Sequence, residues 1–188
     1  MKSNVMMLSI VFFVLSCSKN SSPTQVQVPT EGENGITANY KYGAVEHLAL
    51  SSDSTLKLMS IGTDAMNVDG TSKSWWFIYT RTILPYNGYY FTATFDSIRF
   101  DSISTRMGVG SSIITQAWVN SCVAAQIAES DGGKAFRSSN PDCSIYASVG
   151  EAVVPNPIVS WYIMYRSNID RSIYKTFNID ARIATTNK

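Results

Sequence analysis

The chain has 188 residues and a formal net charge of +1, with 15 Lys and Arg against 14 Asp and Glu. Its charges are scattered and no basic run occurs, which argues against nucleic acid as a partner. Apolar residues make up 45% and aromatic residues 12%, with Ser and Thr abundant; this is the profile of a β-rich exported domain rather than a disordered chain.

Residues 1–16 read as a signal peptide. Lys2 precedes an apolar run of roughly a dozen residues, too short to cross a bilayer, which needs about 20. The run ends in Val14-Leu15-Ser16-Cys17, which resembles the lipobox of bacterial lipoproteins. That resemblance implies a diacylglycerol on the Cys17 thiol and cleavage that leaves Cys17 first. Several acyl chains on one residue anchor stably. Ser18, rather than an Asp, implies the outer membrane.

Residues 18–35 are mostly Ser, Thr, Pro, Gln, Asn and Glu, with Lys19, Gly32, Gly35 and two scattered valines. They cannot bury enough apolar surface to offset their ordering entropy, so residues 17–35 are expected to be a lipidated tether. The folded part then starts near Ile36 and holds roughly 150 residues, enough for one core.

The first predicted element is a helix over residues 42–50, with Val45, Leu48 and Ala49 on one face. Asp53 or Ser54 is expected to cap a short second turn carrying Leu56, Met59 and Ile61. Ser74-Trp75-Trp76-Phe77-Ile78-Tyr79-Thr80 reads as a strand, and Gly88 to Phe95 alternates as another. Apolar parity then switches, because Ile98 and Phe100 fall on even numbers, and a bulge or turn at Asp96-Ser97 accounts for it. A second helix is capped by Asn120 or Ser121, carries Val119, Val123 and Ile127 at i, i+4 and i+8, and is stopped by Gly132-Gly133. Ser160-Trp161-Tyr162-Ile163-Met164-Tyr165 repeats the earlier aromatic strand. The closing strand sets Ile173, Lys175, Phe177, Ile179 and Ala181 against polar neighbours.

Each half thus runs from helix to Ser-Trp strand to second aromatic strand, with halves at residues 36–115 and 116–188. A hairpin alone is marginal in water and needs a layer on its apolar face. Two copies side by side would make one sheet with helices over one face. Cys122 falls in the first turn of the second helix and Cys143 at the start of the second strand after it. With Cys17 lipidated, an even pair remains in an oxidising compartment, and a Cys122–Cys143 disulfide is expected.

Asp69-Gly70-Thr71-Ser72-Lys73-Ser74-Trp75, Asn120-Ser121-Cys122-Val123-Ala124-Ala125 with Gly132-Gly133-Lys134-Ala135-Phe136-Arg137, and Trp161-Tyr162-Ile163-Met164-Tyr165 followed by Phe177-Asn178-Ile179-Asp180-Ala181 resemble PepSY-like proteins. The resemblance covers about Ala44 to Ala184. It departs where the family has a Gly after Asp180-Ala181. It implies an α+β, cystatin-like arrangement, helix on antiparallel sheet. It also implies a non-catalytic role as a module that restrains peptidases or stands alone on exported proteins.

Signs of chemistry are few. His47 is the single histidine and is expected on the wet side of the first helix, away from any Ser-His-Asp arrangement. Asp96 and Asp101, in twin Phe-Asp-Ser-Ile stretches, read as turn and edge residues. No metal site or cofactor is expected, because His47, Cys122 and Cys143 lack close ligand spacing and phosphate-loop patterns are missing. The aromatic strands leave a question. Trp75 and Trp161 are expected in the core, yet the opposite face is still apolar at Trp76, Tyr162 and Met164, where an exposed sheet face should be polar. Either another part of the chain covers that face, or it is an open platform for a protein partner or a glycan. The reading is a lipid-anchored, non-catalytic binding module of the cell envelope, attached to the membrane through Cys17. A surface glycan-binding lipoprotein using Trp76 and Tyr162 is the alternative.

Overall fold

The computed structural model describes residues 28–81, 87–104, 112–151 and 158–182. The predicted signal peptide, Cys17 and most of the tether lie outside the described residues. The end of the predicted tether is ordered. Gly32 and Gly35 exchange backbone hydrogen bonds of 3.1 and 3.0 Å. The Glu31 carboxylate accepts the Thr37 N–H at 2.7 Å and its hydroxyl at 2.5 Å. A tight glycine-bounded turn and one carboxylate engage this backbone without apolar burial.

The elements in chain order are α1 (Tyr42–Ser52), β1 (Leu56–Thr63), β2 (Ser74–Arg81), β3 (Gly88–Thr94), β4 (Ile98–Ser104), α2 (Ser121–Ala128), α3 (Lys134–Ser139), β5 (Ser144–Glu151), β6 (Val159–Arg166) and β7 (Tyr174–Asp180). The seven strands form one sheet in the order β4-β3-β2-β1-β5-β6-β7, and every neighbouring pair is antiparallel. Read outward from the β1–β5 pair, each side runs in chain order, so β2 and β6 hold matching places. Among the described residues the helices lie on one face, and the protein is a mixed α/β fold.

The covered face holds the core. Trp75 and Trp161 are fully buried. Their rings meet edge to face at 6.0 Å across the two halves. Each indole N–H donates to a backbone carbonyl in the segment leading into a helix, Trp75 to Ile36 at 2.7 Å and Trp161 to Val119 at 2.8 Å. Trp118 packs on Trp161 at 6.0 Å from the same side. Burying both tryptophans with their N–H groups satisfied gives large apolar area at no polar penalty.

Three expectations are corrected. The predicted second turn after α1 is strand β1, in which Leu56, Leu58 and Ile61 are buried. A bulge between Leu58 and Ser60 breaks its alternation and mimics helical spacing. Leu48 of α1 is 36% exposed, and only Val45 and Ala49 are buried there. On α2 the buried face is Ser121, Cys122, Ala124, Ala125 and Ala128, while Ile127 is 37% exposed. Small residues let this helix lie close to the sheet, so side-chain size pointed to the wrong face. Gly132-Gly133 breaks the helix as expected, and a further short helix, α3, starts straight after it. Gly132 takes φ +118° in a wide turn over Glu129–Gly133. Glu129 ties the bend to the sheet: it accepts from Tyr165 Oη at 2.8 Å and from Arg137 Nε at 3.0 Å.

The expected break at Asp96-Ser97 is a turn, closed by Thr94 N–H donating to the Ser97 carbonyl at 2.8 Å. Asn120 caps α2 as expected, accepting the Ser121 N–H at 2.8 Å. This cap also joins the halves. Ser121 Oγ donates to the Gly70 carbonyl at 2.6 Å and accepts the Ala38 N–H at 3.0 Å.

Asp53 closes the β1–β2 end of the sheet. Its carboxylate accepts from the Thr55 hydroxyl, the Thr55 N–H and Arg81 Nε, and these hold its pKa down to about 2, in that order of effect. The folded value lies below the unfolded one of about 3.9. The stabilisation is therefore full above that range and fades as pH falls toward 2. In thermal melts, the wild-type melting temperature is expected to fall more steeply between about pH 4 and pH 2 than that of Asp53→Asn.

Candidate binding face

The strand registers place the outward residues in rows. Thr92, Trp76, Gly62, Ser148, Tyr162 and Asn178 form one row across six strands. Tyr90, Ile78, Ser60, Gly150, Ser160 and Asp180 form the next. The middle of both rows is a floor of two glycines and two serines. Trp76 and Ile78 rise on one side of it and Tyr162 on the other. At about 4.8 Å per strand, the Trp76 and Tyr162 backbones stand about 14 Å apart.

Gly62 explains the pose of Trp76. A Cβ on Gly62 would come within 2.3 Å of Trp76 Cζ2 and 2.6 Å of Cη2. The far edge of the benzo ring therefore reaches across to the glycine, in space that any side chain there would fill. On the far side Tyr146 and Tyr162 meet edge to face at 6.1 Å, and Tyr162 Oη approaches Met164 Sδ at 3.7 Å. A cleft of about 320 Å³ continues past them, lined by Asp64, Ser144, Tyr146, Met164 and Arg166.

Trp76, Tyr162 and Met164 are thus brought onto one face, as neighbours or row-mates. Each is half-buried. Among the described residues no helix or connection crosses this face. The helices pack on the other, and so do the connections that place Ile36 and Trp118 against the core tryptophans. Sequence reasoning missed Gly62, Ser148 and Tyr146, because β1 reads as a helical turn and β5 reads only as a strand start at Cys143, with no facing assigned. The alternation of Ile145, Ala147 and Val149 was the available signal for β5.

The remaining candidates do not converge. His47 is exposed on α1, on the layer opposite this face. Asp96 is exposed in its turn, and Asp101 pairs with Arg99 at 2.5 Å on the β4 edge. Among the described residues no group of three or more His, Cys, Asp or Glu side chains could hold a metal ion. No described helix is long and apolar enough to cross a membrane.

Cys122 and Cys143 are free thiols, and the expected disulfide is not formed. They sit at opposite ends of the α2–α3 segment in different surroundings. Cys122 is buried with its backbone beside Gly70. Cys143 is half-buried in a cleft with Met66, Val68 and Arg137. Burial raises both thiol pKa values, which keeps them protonated and weakly nucleophilic. A Cys17→Ala chain isolated without reductant is expected to show two titratable thiols after denaturation, with Cys143 reacting first in the native state. No titratable thiol after denaturation would reinstate the disulfide.

Searches of family models, of curated proteins and of solved structures found no match to this chain.

Proposed function

We propose that the protein is a lipid-anchored, non-catalytic binding module of the cell envelope, built from two PepSY-like halves, that holds its partner on the outer face of the sheet. One observation carries the reading: two rows of aromatic and small polar residues, centred on Trp76, Gly62, Ser148 and Tyr162, with no described element over them. A sheet face packed by nothing is ordinarily polar, and contiguous apolar exposure marks an interaction site. Pull-down from solubilised envelopes tests it. The full chain should retain envelope material that Trp76→Ala and Tyr162→Ala do not. Equal retention by all three proteins would place binding elsewhere.

The anchor has its own test. Cells fed a fatty-acid probe should label the wild type but not Cys17→Ala, which should leave the membrane fraction. A mutant that still labels removes the lipoprotein reading. The PepSY-like motifs favour restraint of an exported peptidase as a second reading, tested by adding the chain to a peptidase from the same envelope. Restraint would appear as slowed turnover that Trp76→Ala relieves.

A further inference from the structure

We infer that the outer face takes a neutral glycan, with Trp76 and Tyr162 as stacking platforms; this rests on the binding-module reading above. Sugar rings present apolar C–H faces and a rim of hydroxyls. A site for them needs flat aromatic surface lying along a floor of small hydrogen-bonding groups.

The rows supply both. The Trp76 ring leans across Gly62, where a Cβ would collide with it, and stays half-buried on this face. Tyr162 stands in the same row, separated only by Gly62 and Ser148. Thr92 and Asn178 extend the row with polar side chains at each end. The floor between the rings has no side chain larger than Ser, which leaves room for ring faces to lie against it.

Charge selects the class of occupant. The middle of the first row, from Trp76 to Asn178, carries no formal charge; at its β4 end Thr92 meets Arg99 and Asp101, which pair with each other, and the neighbouring row carries a charge only at its end, Asp180, where Arg182 pairs with it. A charged polymer would lose hydration here and meet no opposite charge in the middle of the face. A neutral chain of hydroxyls matches it. The sheet edges are poor alternatives for an added strand. β4 is bulged where it meets β3 between Tyr90 and Phe91, and β7 points Lys175 toward the helix side, its Nζ over the Phe177 ring at 5.3 Å. Bulges and inward charges both oppose strand addition.

The test is affinity electrophoresis of the detergent-solubilised full chain in gels holding a neutral β-glucan, an α-glucan, a galactomannan or polygalacturonate. Retardation is expected on at least one neutral polymer and not on polygalacturonate. Trp76→Ala and Tyr162→Ala should each weaken it about tenfold, while Trp76→Phe, which keeps a ring, should lose less. Melting temperatures of the variants separate lost contacts from lost fold. No retardation on any neutral polymer, or equal retardation on polygalacturonate, overturns the glycan assignment. If the same variants instead lose a captured envelope protein, the glycan falls and the binding module stands. If the variants lose neither, both fall.

Discussion

Trp75→Ala and Trp161→Ala are each expected to destabilise the protein by about 3–5 kcal/mol, the range for deleting a fully buried large aromatic. Three effects combine. The ring's buried area is lost, a cavity opens between the layers, and the carbonyl of Ile36 or Val119 loses its donor. The two rings touch, so the losses should not add. The double mutant should fall short of the sum by about 1 kcal/mol, the scale of an edge-to-face pair. Trp76→Ala should lose much less, since its ring is half-buried on the opposite face. Urea melts of the four proteins give all of these values. A loss at Trp76 equal to that at Trp75 would mean that both faces of the sheet are closed.

Gly70→Ala is expected to cost about 1–3 kcal/mol, from a position that no hydrophobicity scale would rank. Gly70 has φ +84°, and a Cβ there would stand 2.5 Å from Cys122 Cα, Cys122 N and the Ser121 carbonyl oxygen. All three are backbone atoms at the start of α2, so no side chain can swing aside. Either the turn or the helix must move, and the 2.6 Å bond from Ser121 Oγ to the Gly70 carbonyl goes with it. Gly43→Ala is the control. A Cβ at Gly43 meets nothing within 4 Å and sits in α1. It should stabilise by up to about 1 kcal/mol through helix propensity. Chemical denaturation compares the two, and equal behaviour would remove the joint between halves from the account.

The strands with large alternating residues are legible in the sequence. β2, β3, β6 and β7 carry large apolar residues at most of their alternate positions (Trp75, Phe77 and Tyr79; Tyr89 and Phe91; Trp161, Ile163 and Tyr165; Phe177 and Ile179), and those positions do face the helices. β1 was not legible as a strand, because its bulge shifts Ile61 out of phase with Leu56 and Leu58. β5 is legible only as a strand start at Cys143, because Ser144, Ser148 and Gly150 flank Tyr146 on its outward side and one of its inward residues is Ala, which gives weak contrast. The face of α2 was misread because bulk stood in for burial: Val123 and Ile127 outweigh the alanines that touch the sheet. The aromatic half of the candidate face was therefore visible in the sequence. Its floor was not, since Gly62 and Ser148 gain meaning only from the pairing of β1 with β5.

The β1–β5 pair has a consequence for how the chain assembles. In the middle of the sheet the Ser60 hydroxyl reaches the Val149 carbonyl across 89 positions of sequence. Every other strand pair joins neighbours along the chain. Loop closure makes distant pairing the slow step, so hairpins within each half should form early and the centre last. Until then β1 and β5 each have an unpaired rim. A chain threaded outward from its first residue would present the β1 rim, with its small-residue floor, for as long as β5 takes to emerge. Refolding should accordingly show a late phase in which Trp75 and Trp161 come together, visible as a final change in tryptophan emission after most secondary structure has returned.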